Sequence, residues 1–445
     1  MTKGKTSFVI TGGTPLRGSV RVSGAKNASY KLMVAALLGD EESRILNLPA
    51  ISDVAMVGEV ISSLGAEAKP AGEGTYLINP QGLNTFSLGK QYGEVSRAST
   101  IFIAPLLIKF GEARVPMPGG DKIGKRPLDR HFDGLKKMGA TFEQEAGMLI
   151  VKADKLVGTR YKFAKNTHTG TETLIMAAVR AEGITYLENA ALEPEIDDLI
   201  DFLNGMGAKI RRTAHKTIEI QGVDKLGGTI HRVMPDRNEA VSYACAAIAS
   251  KGDIIVENAR EKDLLAFLSK LDDIGAGYEV GDYGIRFFYK GELKATDLVT
   301  EIHPGFMTDW QPLWATLVCH AHGTSTIHET VMQNRFQYVD VLKQMGARIE
   351  EYTPEVKTDP DEFYNFNWQD RKTSDIRAIK IIGPTKFQGG EFEVHDLRAG
   401  ATVMLAAISG EGETILHNVE QIERGYSKID QKLTSMGAKI KRVEE

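Results

Sequence analysis

At 445 residues, with 42% hydrophobic and 25% charged residues, the chain suits a soluble globular protein of two domains of about 200 residues each. A formal net charge of −5 argues weakly against nucleic acid or an anionic membrane as partner, so any anion site must be built locally. The longest apolar run, residues 101–108, is far too short to span a bilayer.

The N-terminus, Met1-Thr2-Lys3-Gly4-Lys5, leads into a strand and not into the apolar segment of a signal peptide. That strand, residues 8–22, is expected to pair with the last unit of the chain, because Phe8-Val9-Ile10 has no other obvious partner. A pattern then recurs. A helix rich in small residues, a Gly turn and a strand ending near Asn or a similar polar residue occupy residues 28–47, 98–115, 171–189, 239–258, 310–328 and 399–418. Alanine-rich faces pack closely, so these helices are expected to be buried. An amphipathic helix follows each. In Asp129 to Met138, Phe132, Leu135 and Met138 recur at three-residue spacing with lysines between them.

Each amphipathic helix ends on the same step: Leu64-Gly65-Ala66, Met138-Gly139-Ala140, Met206-Gly207-Ala208, Ile274-Gly275-Ala276, Met345-Gly346-Ala347 and Met436-Gly437-Ala438. Its glycine suits the left-handed position just beyond a helix C-terminus. Strand pairs follow, with alternating runs such as Thr217-Ile218-Glu219-Ile220. Most intervals are about 70 residues, longer than a solenoid repeat, so six units in two lobes of three are expected, with like helix ends facing one shared cleft. The boundary falls near residues 227–235, which makes 1–25 with 235–445 one lobe and 26–234 the other. The surplus before the last step, about 353–373, reads as a surface insertion. Packing of its Phe363, Tyr364, Phe366 and Trp368 among themselves is favoured over a contact patch. Cys245 and Cys319 lie in helical, Ala-rich surroundings and read as buried free thiols in a reducing cytoplasm.

Charged and polar residues mark the starts of the small-residue helices: Lys26-Asn27, Arg97, Lys165 with Thr167 and His168, Asp236-Arg237, Asp309 and Arg398. A cation at a helix N-terminus opposes the helix dipole unless an anion lies between them, which points to a phosphate or carboxylate ligand. One such arginine reads as a solvated side chain; recurrence at equivalent points favours a ligand. Asp309 is either an N-cap or, in a cationic cleft, a general base. Asp236 has the same two readings and is the weaker catalytic candidate. Gly119-Gly120-Asp121-Lys122-Ile123-Gly124-Lys125-Arg126-Pro127 is a basic, glycine-rich loop in a mobile stretch over about 114–126, suited to closing on an anion. It has neither P-loop spacing nor a dinucleotide fingerprint. The ten histidines show no metal-ligand pairing. A Gly-x-Ser-x-Gly elbow and basic patches interleaved with aromatics are both absent from the sequence.

Ser23-Gly24-Ala25-Lys26-Asn27-Ala28, Arg126-Pro127-Leu128-Asp129, Asn334-Arg335-Phe336, Asp396-Leu397-Arg398-Ala399 and Arg424-Gly425-Tyr426 occur in that order. Together they resemble the UDP-N-acetylglucosamine 1-carboxyvinyltransferase family of enolpyruvyl transferases, over nearly the whole chain except the 353–373 insertion. The resemblance implies an α/β fold of two lobes, an inside-out α/β barrel with three βαβαββ repeats per lobe. It implies transfer of the enolpyruvyl group of phosphoenolpyruvate to the 3′-hydroxyl of UDP-N-acetylglucosamine with release of phosphate, in the first committed step of peptidoglycan synthesis. The partners implied are these two small molecules, in the cytoplasm, with no cofactor, metal, nucleic acid or membrane.

By the motif match, Lys26 and Asn27 meet phosphoenolpyruvate, and Arg126, Arg335, Arg398 and Arg424 complete its cationic surround. Arg97, the stretch Arg126, Pro127, Leu128, Asp129 and Arg130, then Lys165, Thr167, His168, Asp309 and Val331 hold the nucleotide sugar. Asp309 also takes the proton of the attacking hydroxyl. Most members carry cysteine where this chain has Asp121. The resemblance makes Asp121 the loop's general acid and implies insensitivity to fosfomycin, which alkylates the usual cysteine. A free aspartate has a pKa of about 3.9, and Lys122, Lys125 and Arg126 lower it, so its protonation must be coupled to the arrival of the phosphoenolpyruvate anion.

The segment 165–171 departs from the commoner Ser-Val-Gly pattern, and His168 either contacts uracil or a phosphate or caps its helix. Two alternatives stay open. One is a 5-enolpyruvylshikimate-3-phosphate synthase-like transferase, disfavoured because Ala25-Lys26-Asn27 stands in place of a Ser-Lys-Ser opening. The other is a catalytically silent paralogue that binds nucleotide sugar, disfavoured by the retention of Lys26, Asp309 and Arg398.

Overall fold

The computed structural model describes residues 6–95, 97–117 and 128–444. The chain divides into two compact units, one of residues 24–117 and 128–234, the other of residues 6–23 and 235–444. Each unit holds three small sheets. Five of the six sheets are four-stranded and share one order, a parallel pair extended by two antiparallel strands. In one of them Arg160–Lys162 runs parallel to Ile184–Glu188 (Leu187 beside Tyr161). The latter pairs antiparallel with Thr217–Gln221 (Leu187 beside Ile218), and Lys209–Ala214 forms the edge. The sixth sheet has three strands, and a parallel bridge between Ser87 and Arg114 stands where a fourth would lie.

The opening segment forms two strands, not the one expected over residues 8–22. Gly12, Gly13 (φ +84°) and Pro15 interrupt it, and a side chain at Gly12 would meet the carbonyl oxygens of Ala407 and Gly410 at 2.4 Å. Thr6–Thr11 pairs with Glu413–His417 and Lys439–Glu444, so the chain's start does complete its last repeat. Arg17–Arg21 lies parallel to Asp253–Glu257 and opens the repeat that begins the second half.

All six Gly-Ala steps do what their sequence suggests. Gly65, Gly139, Gly207, Gly275, Gly346 and Gly437 have φ between +76° and +104°. In five of them the alanine N–H reaches back to the carbonyl of a leucine five residues earlier, as from Ala140 to Leu135 (3.0 Å) and Ala347 to Leu342 (2.9 Å). This is the six-to-one bond of a Schellman cap, closed by apolar contact. Ile61, Leu135, Leu203, Leu271, Leu342 and Leu433 at that position are all fully buried. The strand ends carry a second device. Asn47, Asn189 and Asn418 adopt φ of +63°, +53° and +59°. Their amides donate to the carbonyls of Val233, Phe163 and Val394, which follow the neighbouring parallel strands.

The small-residue helices are the cores. Arg237–Ala249, Gln311–Val318 and Leu397–Ser409 pack on one another, and every residue of the first two is buried. In the other unit His168–Ala178 packs on Ile103–Phe110, and the 3-10 helix Arg97–Phe102 touches both His168–Ala178 and Lys26–Ala35. Cys245 and Cys319 are buried free thiols, and burial pushes the Cys319 thiol up to about 12. Within 353–373, Tyr364 stacks on Trp368 (4.8 Å) and bonds His328 Nε2 (2.9 Å), while Arg371 covers Trp368 at 4.0 Å. Phe363 is the exposed ring of the group, at 40%.

Candidate active site

In the unit of residues 6–23 and 235–444, Asp309 and Arg398 stand at core helix N-termini and Arg335 joins them. The Gln311–Val318 helix begins behind Trp310, which offers no side-chain cap. Asp309, just ahead, places Oδ1 2.8 Å from Nη2 of Arg335 and Oδ2 3.8 Å from Nη2 of Arg398. Both arginine side chains are 5% exposed and Asp309 is 25% exposed. One carboxylate thus meets two buried guanidiniums and stays within reach of a ligand.

Arg398 lies in the first turn of Leu397–Ser409. Asp396 caps that turn by accepting from the amides of Arg398 (2.9 Å) and Ala399 (3.1 Å). Arg398 Nη1 donates to the Tyr426 hydroxyl (2.8 Å), which is 2.6 Å from Ser242 Oγ. Ser242 and Tyr426 are both buried, so this relay runs through the core. Burial opposes the charge of Arg398, but Tyr426, Asp309 and Asp236 more than offset it, and its pKa is raised.

Asp236 accepts from the amides of Asn238 (2.7 Å) and Glu239 (3.0 Å), the capping role of its two readings. Arg237 is buried and donates to His303 Nδ1 (3.0 Å). Val331 gives its amide to buried Glu329 (2.9 Å), which also takes the Met332 amide (2.9 Å) and the Thr308 hydroxyl (3.0 Å). Burial holds the Glu329 carboxyl above its usual range. Glu329 thus ties the residue before Asp309 to the turn bearing Val331. Arg424 is half-buried and caps the short helix Glu420–Glu423.

In the other unit, Lys26 opens the Lys26–Ala35 helix and pairs with Asp53 at 2.9 Å, with Asn27 half-buried beside it. Leu128 is the N-cap of Asp129–Lys137, and Asp129 is exposed in its first turn. Arg130 Nη1 donates to the Asn166 carbonyl (2.9 Å), and His131 Nε2 is 3.1 Å from Thr169 Oγ1. The Arg130 and Lys165–His168 segments, far apart in sequence, are thereby joined, and Lys165 is half-buried. Thr167 accepts from the Gly170 amide (3.2 Å) and caps His168–Ala178. The capping alternative for His168 is therefore ruled out. Its Nε2 turns back to Glu172 Oε1 (3.1 Å) and Lys31 Nζ (3.4 Å). Arg97 begins its 3-10 helix, but its side chain, with Asp121, Arg126 and Pro127, lies outside the described residues.

Residues 10–433 match the family model described as EPSP synthase (3-phosphoshikimate 1-carboxyvinyltransferase). The chain is 40% identical to the UDP-N-acetylglucosamine 1-carboxyvinyltransferase of Koribacter versatilis, over 98% of this chain and 96% of that protein. It is 39% identical to the protein of that name from Halothermothrix orenii, over 98% of this chain and 99% of that protein. The chain belongs to the UDP-N-acetylglucosamine 1-carboxyvinyltransferase family. The enolpyruvyl transferase NikO from Streptomyces tendae has the same fold, with a TM-score of 0.84 at 22% identity, covering 99% of this chain and 100% of that one.

Within this UDP-N-acetylglucosamine 1-carboxyvinyltransferase framework, sequence reading missed the residues that hold the candidates in place. Asp53 beside Lys26, Ser242 behind Tyr426, and Lys31 with Glu172 behind His168 sit inside helices, and Glu329 behind Val331 follows the strand Gly323–His328. One signal was available for Lys31 and Glu172, since a charged residue amid an apolar run of a buried helix demands a partner.

Proposed function

We propose that this chain transfers the enolpyruvyl group of phosphoenolpyruvate to the 3′-hydroxyl of UDP-N-acetylglucosamine and releases phosphate, the first committed step of peptidoglycan synthesis. The observation that carries the reading is Asp309, one reachable carboxylate held by two buried guanidiniums. Asp121 protonates C3 of phosphoenolpyruvate, C2 gains cationic character, and the sugar oxygen attacks it as Asp309 accepts the hydroxyl proton. The tetrahedral adduct then returns one C3 proton to the Asp121 carboxylate and expels phosphate, and the double bond is restored. Arg335 and Arg398, with Lys26, Asn27, Arg126 and Arg424, hold the carboxylate and phosphate and stabilise the charge on the departing group. Arg97, Pro127, Leu128, Asp129, Arg130, Lys165, Thr167, His168 and Val331 hold the nucleotide sugar.

The test is phosphate release with phosphoenolpyruvate and each acceptor. Release with UDP-N-acetylglucosamine and none with shikimate 3-phosphate is expected, and the reverse assigns the sister activity. Binding of UDP-N-acetylglucosamine without any release assigns a silent paralogue. Asp121→Asn is expected to abolish turnover while Asp121→Cys keeps much of it; an active Asp121→Asn variant removes the acid role. Fosfomycin is expected to produce no time-dependent covalent inactivation, because a carboxylate is a poorer nucleophile than a thiolate.

A further inference from the structure

Lys31 and Glu172 come from two different core helices, Lys26–Ala35 and His168–Ala178, and form an ion pair sealed from solvent. Lys31 Nζ donates to Glu172 Oε1 at 2.6 Å, and their side chains are 2% and 0% exposed. Removing both charges from water is costly, and an apolar pair of similar volume often serves stability as well or better. The pair therefore calls for an explanation beyond packing. His168 supplies one. Its ring lies at the mouth of the pair, about one-fifth exposed (21%), with Nε2 3.1 Å from Glu172 Oε1 and 3.4 Å from Lys31 Nζ.

The donors fix the proton. In the charged ring both nitrogens carry a proton, and Nε2–H donates to the nearer Glu172 carboxylate, since an ammonium has no acceptor to offer. Nδ1 is the nitrogen left over, and it has no hydrogen-bond partner among the described residues. With Lys31 and Glu172 cancelling, a charged ring adds one net positive charge at the first residue of a helix, where the dipole already favours an anion.

We propose that Lys31 and Glu172 are positioning residues that hold the His168 ring so that Nδ1–H donates to the diphosphate of the nucleotide sugar. This rests on the nucleotide-sugar reading above and names the group that His168 meets. Other charged and titratable groups stand around this turn, among them His131, whose Nε2 is 3.1 Å from Thr169 Oγ1. Glu193 and buried Glu195 stand at the start of the neighbouring Pro194–Gly205 helix. Arg130, from the helix Asp129–Lys137 packed alongside, donates to the Asn166 carbonyl; its sequence neighbour Asp129 is exposed, and Lys165, next to Asn166, is half-buried. Lys109 of Ile103–Phe110 is exposed and pairs with Asp40 at 3.8 Å. Burial and Lys31 lower the His168 pKa, Glu172 and Glu193 raise it, and it ends above the ordinary histidine value, which favours the charged ring.

Calorimetry with UDP and with uridine tests this, using the intact protein, His168→Gln, and the double variant Lys31→Met with Glu172→Met. His168→Gln changes a residue that is one-fifth exposed and leaves the bond between Lys31 and Glu172 in place. The expected result is about tenfold weaker UDP binding in both variants, the loss of one charge-assisted hydrogen bond, with uridine binding unchanged. In the intact protein UDP affinity falls as pH rises through the His168 pKa, and both variants lose that dependence. Equal losses for UDP and uridine, or variants that bind UDP with intact affinity and pH profile, overturn the proposal. The two readings fail separately. A protein that binds UDP as described but releases no phosphate from phosphoenolpyruvate defeats the enzyme reading alone. Normal turnover with unaffected variants defeats this inference alone.

Discussion

Two ion-pair groups built from the same chemistry sit in the two units and differ in what solvent can reach. Asp309 is 25% exposed between two buried arginines, so the group presents an open carboxylate. Lys31 and Glu172 are 2% and 0% exposed and cancel, so the pair acts on a third residue, His168. The difference teaches that a buried charge is informative through its balance. Buried guanidiniums beside a reachable oxygen are poised for a ligand, whereas a sealed neutral pair orders its neighbours.

The largest expected effect separates the two groups outright. Asp309→Asn lowers kcat about a thousandfold, the scale of a lost general base, while UDP-N-acetylglucosamine binding by calorimetry changes only a few-fold. An Asp309→Asn enzyme with near-normal kcat would remove Asp309 from the chemistry. Arg398→Lys comes next, because an ammonium cannot span both Tyr426 and Asp309 as the planar fork does. A loss of about a hundredfold in kcat/KM for phosphoenolpyruvate is expected in steady-state assays.

On the sealed pair the readout is stability. Glu172→Gln strands the Lys31 charge and costs about 3 kcal/mol in denaturant melts, whereas replacing both residues by methionine costs under about 1 kcal/mol. Equal costs for the single and double changes would show that the pair is not coupled. Tyr426→Phe is smaller still. It takes one hydrogen bond from Arg398 and lowers kcat/KM for phosphoenolpyruvate about tenfold, and Ser242→Ala adds little in that background. Additive losses would break the relay.

The smallest effect contrasts histidines by sign. His320 Nε2 lies 3.0 Å from Ser409 Oγ, and burial, then Lys251, lowers its pKa to about 4; burial, then Arg377, does the same to His328. Their unfolded value is about 6.5. The unfolded chain thus binds more protons in that window, and stability is lost as pH falls from about 6.5 to about 4. His168, raised, has the opposite sign. Its contribution is present below about 6.5 and is lost as pH rises through its folded pKa. Melts against pH are expected to show a shallower acid limb in His320→Gln, and in His168→Gln a loss of stability below the folded pKa of His168 that disappears on the alkaline side.

The local grammar of this protein was legible in its sequence. The six Gly-Ala steps marked six helix ends because only glycine takes φ near +100° without strain, and alternation marked the strands beside them. The five ordered motifs led to the family by resemblance, and charged helix starts led to Asp309 and Arg398. The division of the opening strand escaped, since its consequence depends on two partners, at residues 253–257 and 413–417, that sequence proximity does not reveal.

Sequence alone determined which residue types stand at the helix starts and where helices stop, because those rules act over a few residues. Tertiary structure alone decided that Asp309 faces two arginines, that Asp236 is a cap, and that His168 leans on a buried pair. Those outcomes depend on which helices meet and how much water is excluded where they do, and both are set by long-range packing.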